Sequence, residues 1–266
     1  MNLFRRPPLP ALSALDAEAA LTEARREIGR RIEAPARRAF LQRSLTLGGL
    51  SMLSGCSLSD SASVDAALGR VSRFNDGVQG WLFDPARLAP TYPASMITRP
   101  FPFNAYYGED EVRVVDADRW RLDVGGLVTD RRPWTLAALR ALPQHEQITR
   151  HICVEGWSAI GRWGGVRFSD FLARVGADTT AKYVGFRCAD DYHTSIDMPT
   201  ALHPQTLLAL DWDGAPLPPR YGFPVKLRMP TKLGYKNPKH IQALFVTNTN
   251  PGGYWEDQGY NWFGGS

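Results

Sequence analysis

The chain has 266 residues, and 31 Lys and Arg residues against 27 Asp and Glu residues give it a formal net charge of +4. Nine arginines and five acidic residues lie between Met1 and Gly55, so this segment carries the whole excess and leaves 22 basic and 22 acidic side chains beyond it. This distribution excludes a nucleic-acid-binding protein, which needs a positive field on its folded surface, while the 44% hydrophobic content and three cysteines fit one globular domain without a disulfide framework.

Residues 1–55 are predicted to be an export leader with a long pre-extension over residues 1–34. Arg37-Arg38 precede a short uncharged stretch, Ser44–Leu53, which is too short to cross a bilayer core of about 30 Å. A charged region followed by a short apolar region is typical of a cleavable signal. The arginine pair followed by Phe40-Leu41 resembles a twin-arginine signal, which exports proteins that are already folded. An amphipathic surface helix with a chance arginine pair is the alternative.

The segment after the leader predicts attachment to a membrane. Leu53-Ser54-Gly55-Cys56 resembles a bacterial lipobox, so we expect a periplasmic protein with a lipid anchor at Cys56. Ordinary cleavage nearby, with Cys56 incidental, is the alternative. Residues 56–100 are predicted to be a polar tether followed by an irregular arm, because prolines recur between Asp84 and Pro100.

From Trp120 onward the sequence shows regular elements. Trp120, Leu122 and Val124 alternate with polar residues and predict a strand that runs into Gly125-Gly126. Thr135 is a predicted N-cap for a short helix that Pro143 stops. The same patterns predict a helix capped by Ser169-Asp170 and closed by Gly176, and strands at Ile148–Val154, Tyr183–Cys188, Val225–Met229 and Ile241–Thr247. Strands outnumber helices, so the domain over residues 101–250 is predicted to be α+β and mostly β.

Two further segments have open alternatives. The tail over residues 251–266 is strongly aromatic and is predicted to pack against the core, with covering of a cofactor mouth as the alternative. Asp190-Asp191 is predicted to be a turn instead of a pair of catalytic carboxylates.

Several common sites are excluded or weakened by spacing. No G-x-G-x-x-G follows a strand, and the stretch from Gly156 to Gly161 continues with Arg162-Trp163 instead of the Lys-Ser/Thr of a Walker loop. His145, His151 and Cys153 form at most part of a zinc set, since zinc needs three or four ligands.

Cys153 is the candidate that remains. It lies at the end of an apolar strand, close to the glycine-broken stretch Gly161–Gly165. A flexible loop beside a strand end is a place where a soft ligand or a nucleophile is presented. The alternative is a buried cysteine that acts as a small hydrophobic residue.

The residues around Cys153 resemble a known family. Arg150-His151-Ile152-Cys153-Val154-Glu155-Gly156-Trp157-Ser158 is similar to the molybdenum-ligating segment of the sulfite oxidase superfamily, closest to the branch with the periplasmic methionine-sulfoxide reductase catalytic subunit. Other segments agree in the same order, namely Phe103–Gly108, Leu122–Val128, Ala201–Ala209 with Gly214–Pro218, and Gly222–Leu227 with Lys232–Lys236. The resemblance implies a sulfite-oxidase-type molybdopterin-binding fold over roughly Phe101 to Thr249.

The resemblance also implies a cofactor, Mo-molybdopterin, with Cys153 as its metal ligand and catalytic residue. A thiolate is a suitable soft ligand for such a metal. Asn104 and His203 have side chains that suit the pterin edges, and Lys226, Lys232, Lys236 and Lys239 suit a terminal phosphate, with a solvated loop as the alternative for the lysines. The cofactor-binding residues implied by the matched segments are Asn104, Tyr107, Gly108, Cys188, His203, Tyr221, Lys226, Gly234, Tyr235 and Lys236.

The chain departs from the family pattern in three ways. Many sulfite oxidases have His-Gly-x-Pro-x-Arg where this chain has Tyr221 to Lys226, and lysine keeps the charge but loses bidentate recognition. The Asn-Arg-Arg run that resembles oxyanion binding in sulfite oxidases does not follow Cys153. The family's separate C-terminal dimerisation domain is expected to be absent.

The expected function is therefore oxygen-atom transfer by an exported molybdopterin oxidoreductase, in which the cofactor supplies the chemistry. Sulfoxide reduction and sulfite oxidation both remain open, and the missing Asn-Arg-Arg run favours reduction of a small substrate. No C-x-x-C-H haem-attachment motif occurs, so we expect electrons to pass through a membrane partner that carries b-type haem or is linked to quinol. A cofactor-free binding lipoprotein on the same scaffold is the alternative.

Overall fold

Two β-sheets organise the part of the chain that is described. The structure is a computed structural model and describes the backbone of residues 61–266 and side chains from Leu68 onward. The strands are β1 (Asp123–Gly126), β2 (Gln144–Ile152), β3 (Ser158–Arg167), β4 (Tyr183–Cys188), β5 (His193–Asp197), β6 (Leu207–Trp212), β7 (Ala215–Pro216), β8 (Lys226–Arg228) and β9 (Ile241–Thr247). The helices are α1 (Ser61–Leu82), α2 (Leu136–Arg140), α3 (Phe168–Arg174) and α4 (Met198–Leu202). The leader and Cys56 lie outside the described residues.

The strand order joins distant parts of the chain. The first sheet has the order β1-β9-β4-β5, with β1 parallel to β9 and the other pairs antiparallel. The second sheet has the order β2-β3-β6-β7, and β8 also pairs with β6; all of these pairs are antiparallel. Hairpins join β2 to β3 and β4 to β5, which places a tight turn in each sheet.

Most predicted elements are confirmed with small shifts. The strands Tyr183–Cys188 and Ile241–Thr247 match, while the predicted strand Val225–Met229 is shortened to Lys226–Arg228. Thr135 caps α2, because its Oγ1 accepts a hydrogen bond from Ala138 N at 3.0 Å. The next helix, α3, begins one residue before the predicted Ser169-Asp170 cap and has no side-chain cap.

Residues 61–82 form α1, so the prediction of a tether and irregular arm is wrong for this stretch. Large apolar residues recur at helical spacing from Leu68 to Leu82. Three glycines interrupt this pattern and lower the helix propensity of the segment. For this reason the helix was not predicted from the sequence. After α1 the chain is irregular as far as Leu122, with short helical turns at Ala94–Met96 and Glu109–Glu111.

The glycine-broken stretch after Cys153 is also ordered differently from the prediction, since it belongs to the ten-residue strand β3. Its glycines serve close approach and not flexibility. A Cβ at Gly161 would collide with the Trp212 ring, and a Cβ at Gly165 would collide with the carbonyl oxygen of Leu208. Glycine inside a strand often marks such a contact.

One core holds α3 and both sheets together. Its fully buried members include Phe168, Phe171 and Leu172 of α3, with Val184 and Val246 of the first sheet. A smaller aromatic cluster contains Phe101, Trp163 and Tyr221. Among the described residues, no helix has both the length and the apolar character needed to cross a bilayer.

Candidate active site

Cys153 occupies the turn between β2 and β3. Its backbone N donates to Trp157 O at 2.9 Å, and Gly156 N donates back to Cys153 O at 3.2 Å. Gly156 has φ +92°, a left-handed conformation that glycine adopts without a Cβ penalty. The indole Nε1 of Trp157 donates to Glu155 Oε2 at 2.8 Å. These bonds fix the turn and hold the thiol at the end of the hairpin.

The thiol lines a cavity built by loops from both sheets. The β2–β3 turn supplies Cys153 and the β4–β5 hairpin supplies Asp190. The connection between β8 and β9, the irregular segment before β1 and the C-terminal tail complete the wall. The lining residues are Asn104, Ala105, Tyr106, Cys153, Val154, Glu155, Asp190, Tyr192, Gly234, Tyr235, Asn237, Pro238, Lys239, Trp255 and Tyr260. The structure therefore brings Asn104, Cys153, Gly234 and Tyr235 of the predicted site together.

Burial decides the chemical character of the thiol. Cys153 is only 7% exposed, and burial raises the pKa of its thiol, with repulsion from the Glu155 carboxylate acting in the same direction. A nucleophilic cysteine instead has a lowered pKa. The geometry consequently favours the ligand role over the nucleophile role, because a bound metal ion can displace the proton of a thiol.

A polar cradle lies beside the thiol. A Cβ placed on Gly234 would lie 2.9 Å from His151 Nε2 and 3.2 Å from Asn104 Nδ2. The missing side chain at Gly234 thus lets an imidazole and an amide meet against the backbone. Gly234 opens the 3-10 turn Gly234–Lys236, whose position is set by the hydrogen bond from Tyr192 Oη to Tyr235 O at 2.6 Å.

His151 is the most informative residue of this cradle. It is 1% exposed, yet neither of its ring nitrogens has a hydrogen-bond partner within the described residues. Burial lowers its pKa well below the usual value, and the charges of Arg228, Lys226 and Lys239 add to the effect. The neutral imidazole offers one donor and one acceptor, and buried polar groups are rarely left unpaired. A polar ligand would satisfy both nitrogens.

Three buried cations surround His151, and we call Lys226, Arg228 and Lys239 the cation cluster. Lys226 Nζ donates to Asn237 O at 3.1 Å, and Arg228 donates to Arg150 O at 2.7 Å. Lys239 Nζ donates to Arg220 O at 2.9 Å. Carbonyl oxygens do not neutralise these charges.

The electrostatics of the cation cluster call for an anion. Burial lowers the pKa of Lys226 and lowers that of Lys239 to about 7, while Asp190 acts in the opposite direction on both. Asp190 is buried and accepts from Tyr107 Oη at 3.0 Å. Three cations thus face one carboxylate in a region with little water. An anionic group bound here would restore the charge balance.

The other two lysines of the predicted phosphate site lie elsewhere. Lys232 Nζ contacts Asp197 Oδ2 at 3.4 Å and donates to Phe263 O at 2.9 Å. Lys236 forms a buried ion pair with Glu256. Each of these two lysines has a carboxylate partner, unlike Lys226, so the cation cluster is the better candidate for the predicted phosphate site and a role of Lys232 and Lys236 in it stays a prediction.

Six more residues predicted to bind the cofactor are not among those that line the cavity, and one of them is Lys226 of the buried cation cluster. Tyr107 Oη donates a hydrogen bond to Asp190, which does line the cavity, and Gly108 is exposed to solvent. Cys188 lines a separate cavity with Phe186 and His193. His203 has both ring nitrogens within reach of backbone groups, Arg87 O at 3.1 Å and Gln205 N at 3.2 Å. Tyr221 donates to Phe101 O at 2.9 Å. The ring nitrogens of His203 and the hydroxyl proton of Tyr221 are therefore engaged within the protein.

Sequence reasoning missed several members of the site. Arg228 was not considered, although Lys226 and Arg228 alternate across β8 and must share one face of the strand. Asp190 was predicted only as a turn residue, and the structure makes it both a turn residue and a wall of the cavity. His151 was weighed only as a zinc ligand.

The C-terminal tail closes one side of the cavity. Trp255 and Tyr260 line it, and their ring centroids lie 4.9 Å apart. Tyr260 also meets Tyr235 at 5.8 Å between centroids. Phe263 is buried, and Tyr254 and Trp255 pack against the main core, so the tail packs against the domain, as predicted, and also forms one side of the cavity.

Taken together, the donor set fits a molybdopterin cofactor. The buried thiol of Cys153 can serve as a soft metal ligand once the metal displaces its proton, and the unpaired imidazole and the amide of Asn104 suit the polar edges of a pterin. The cation cluster suits an anionic substituent. Each of these observations concerns a different chemical part of the group. Cys153, Asn104 and Lys239 line the cavity, and His151 lies behind its wall beside Gly234.

Comparisons with known proteins agree with this assignment. Residues 109–255 match the family model described as oxidoreductase molybdopterin binding domain. The chain is 72% identical over 246 residues, 92% of this chain and 94% of the relative, to the putative protein-methionine-sulfoxide reductase subunit YedZ1 of Azospira oryzae. It is 33% identical over 156 residues to the protein-methionine-sulfoxide reductase catalytic subunit MsrP of Xanthomonas axonopodis pv. citri, covering 52% of this chain and 48% of that one.

A solved structure is also similar. The sulfane dehydrogenase SoxCD of Paracoccus pantotrophus aligns with a TM-score of 0.49 at 20% identity, covering 52% of this chain and 40% of that chain. The family match spans more than half of the chain and includes Cys153, His151 and the cation cluster. The family, the α+β fold and the cofactor expected from the residues around Cys153 are thereby confirmed: the chain belongs to the family of oxidoreductases with a molybdopterin-binding domain, and its cofactor is Mo-molybdopterin.

Proposed function

We propose that this enzyme reduces sulfoxides, with methionine sulfoxide as the substrate class, and that the aromatic wall of its cavity selects them. The names of the relatives from Azospira and Xanthomonas support this substrate. The observation that carries the proposal is the character of the cavity beside Cys153, where Trp255, Tyr260 and Tyr235 form one side. Sulfur-containing side chains make favourable contacts with aromatic rings.

Charge separates a sulfoxide from sulfite as the substrate. A sulfoxide is neutral, whereas sulfite is an anion and needs cationic groups at the mouth of the cavity. The charged residues of the lining are Glu155, Asp190 and Lys239, and the ammonium of Lys239 is turned towards Arg220 O. Two carboxylates against one engaged ammonium disfavour an anionic substrate. The overall reaction converts a sulfoxide, two electrons and two protons into a thioether and water.

The residues of the cavity have separate roles in this proposal. When bound, the cofactor supplies the two-electron exchange of an oxygen atom. Cys153 holds the metal, and His151 and Asn104 bind polar edges of the pterin beside the backbone of Gly234. The cation cluster binds the anionic part of the cofactor. Trp255 and Tyr260 exclude water from the substrate and orient its sulfur atom.

We also infer that the protein is exported to the periplasm and takes electrons from a membrane partner. The Arg37-Arg38 leader supports export of a folded, cofactor-loaded chain. The absence of C-x-x-C-H from the sequence supports an external source of electrons, such as a protein that carries b-type haem or is linked to quinol. The segment ending at Cys56 supports a lipid anchor.

The substrate assignment is tested with the purified, cofactor-loaded protein. A reduced viologen dye serves as the electron donor, and its oxidation is followed with methionine sulfoxide, while sulfite is offered with an oxidised acceptor. We expect turnover with the sulfoxide and at least about a hundredfold lower kcat/KM with sulfite, a difference of about 2.7 kcal/mol in transition-state stabilisation. Faster turnover of sulfite would contradict the proposal.

The role of Cys153 is tested by comparing the two buried cysteines. Cys153→Ser replaces a soft ligand by a hard one and should lose most of the molybdenum and at least about a thousandfold of kcat. Cys188→Ser is the matched exchange in the other buried cysteine, whose thiol lines a different hollow, so its molybdenum content should stay near that of the unmodified protein. Metal analysis by mass spectrometry decides, and equal molybdenum in Cys153→Ser would refute the ligand role.

A further inference from the structure

From Leu68 onward, α1 binds the domain through its polar face. Asp76 Oδ1 accepts from Phe263 N at 2.8 Å and from Asn261 Nδ2 at 2.7 Å. One turn later, Gln79 Oε1 accepts from Gly265 N at 3.1 Å. A Cβ at Gly80 would lie 3.8 Å from the Phe263 ring, so the small residue lets the helix approach the tail closely.

The opposite face of α1 is apolar and exposed to solvent. At about 100° per residue, six large apolar side chains fall within one stripe of about 140°. Trp81 is 82% exposed and Phe74 is 70% exposed. The members of this apolar stripe are Leu68, Val71, Phe74, Val78, Trp81 and Leu82. The stripe is about 21 Å long at 1.5 Å per residue.

This arrangement reverses the ordinary amphipathic helix, which buries its apolar face and exposes its polar one. Scattered exposed apolar residues need no explanation, whereas a contiguous stripe marks an interaction surface. The domain does not cover the stripe, because the helix is already docked through Asp76 and Gln79.

The charges beside the stripe indicate what covers it. Arg70 and Arg73 are exposed, and Arg70 lies about 20° from the edge of the stripe next to Trp81 on a helical projection. The one acidic residue between Leu68 and Leu82 is Asp76, which points into the domain. The stripe contains one exposed polar residue, Asn75, and the exposed charged side chains of this stretch are both cationic.

We propose that α1 lies on the surface of an anionic lipid bilayer, with the apolar stripe inserted at the level of the headgroups. Exposed Trp and Phe on one face with Arg beside them are typical of interfacial helices, and Trp favours the membrane interface. The helix is proposed to lie on the bilayer instead of crossing it, because its apolar residues occupy one face only. A second copy of the chain would bring the same arginines into the contact with no acidic residue of this stretch to pair with them.

The surface also fits the predicted anchor. Ser61, the first residue of α1, follows Cys56 by five positions. A lipid at Cys56 and an interfacial helix would be two membrane signals, and stable attachment takes two. The helix proposal stands without the lipid, and the experiment separates them.

The test uses the full chain with Cys56→Ser, which removes any acyl anchor, loaded with cofactor. Binding is measured by co-sedimentation with vesicles of phosphatidylethanolamine and phosphatidylglycerol, and with vesicles of phosphatidylcholine alone. We expect binding to the anionic vesicles and weaker binding to phosphatidylcholine. Phe74→Ser with Trp81→Ser should lower the partition coefficient at least about tenfold. Val114→Ser, which changes an apolar residue that is 86% exposed outside α1, should bind like the parent chain.

Each outcome decides for or against the bilayer. Molybdenum content and near-UV circular dichroism should not change in the variants, since the replaced side chains are exposed. The proposal fails if the parent chain does not bind anionic vesicles. It also fails if the double variant binds these vesicles as well as the parent chain does. It also fails if ultracentrifugation without lipid shows a dimer that the double variant abolishes, which assigns the stripe to a second copy. Binding only to protein-containing native membranes would assign it to a membrane protein.

Discussion

Gly234 shows how much of the site depends on a side chain that is missing. His151 and Asn104 both approach the position that a Cβ would take, and no resemblance of short segments reveals such a contact. His151 is a second residue whose role in the site is visible only in the folded structure. Its position two residues before Cys153 is visible in the sequence, but its unpaired ring nitrogens and lowered pKa come from burial among the cation cluster.

Gly234→Ala should therefore lower cofactor loading more than it lowers stability. The new Cβ would lie 2.9 Å from His151 Nε2, and relief of such overpacking costs about 1–3 kcal/mol. We expect at least about a tenfold loss of bound pterin, measured as pterin and molybdenum per protein. Gly125→Ala is the control, because its Cβ would meet only Phe245 Cβ at 3.9 Å. Normal loading of Gly234→Ala would show that the cradle tolerates a side chain.

Among the elements, the short helical turn Glu256–Gln258 of the tail connects the cavity wall to the domain. Glu256 lies between the wall residues Trp255 and Tyr260. Its carboxylate pairs with buried Lys236 and accepts from Thr194 Oγ1 at 2.6 Å. The ion pair thus positions the aromatic wall, although neither charged group lines the cavity.

Glu256→Gln should loosen that wall. The exchange leaves the Lys236 ammonium buried without its counter-charge, which costs about 3–5 kcal/mol when one partner of a buried pair is removed. We expect a lower free energy of unfolding and a raised KM for the sulfoxide with a smaller change in kcat, measured by denaturant unfolding and steady-state kinetics. Asp257→Asn is the matched control at the neighbouring, exposed carboxylate, and its effect should stay below about 1 kcal/mol. An unchanged KM in Glu256→Gln would exclude the positioning role.

Across the whole molecule, the formal balance of charge conceals an imbalance in the interior. The cation cluster and His151 are buried close to one another, and most acidic groups lie on the surface. Burial lowers the pKa of Lys239 and of Lys232 to about 7. The cofactor-free protein therefore carries a destabilising charge that the anionic cofactor offsets.

The stability of the cofactor-free protein should rise with pH above about pH 7. Lys239 has a folded-state pKa of about 7 against 10.5 unfolded, so between these values the unfolded chain binds more protons and each such lysine adds about 1.4 kcal/mol per pH unit. Below about pH 7 both states hold the proton and this contribution is flat. Thermal unfolding across this range should show the slope.

Two variants and the loaded protein check the origin of that slope. Lys239→Met should lower the slope of stability against pH by about 1.4 kcal/mol per pH unit. Lys182→Met, at an exposed lysine, should leave the slope unchanged. Cofactor binding should reduce the slope by the share of Lys239, because a nearby anion raises the pKa of that lysine, whereas the share of Lys232, which lies beside Asp197, should remain. An identical slope in Lys239→Met would contradict the assignment.

Sequence patterns predicted the elements best where short-range signals are strong. Thr135 at the start of α2 and the strands containing Cys188 and Leu244 were found from capping and alternation. The same patterns did not predict β3, because Gly161 was interpreted as part of a flexible loop. They did not predict α1, because glycines such as Gly77 interrupt its helical spacing. A glycine's role depends on what lies opposite it, and that is a tertiary contact.

The chain's composition and order of residues determined where the net charge lies, the mostly β class of the domain and the family, and they singled out Cys153 as the proposed metal ligand, because each depends on neighbours in the sequence. Only the tertiary structure decided that Lys226 and Lys239 join Arg228 around His151, while Lys232 and Lys236 turn to Asp197 and Glu256. The physical reason is that the free energy of a buried charge depends on its partner, and these partners are distant in sequence. The basic excess of the first 55 residues and the buried cations beside the cavity are separate features, and burial distinguishes them.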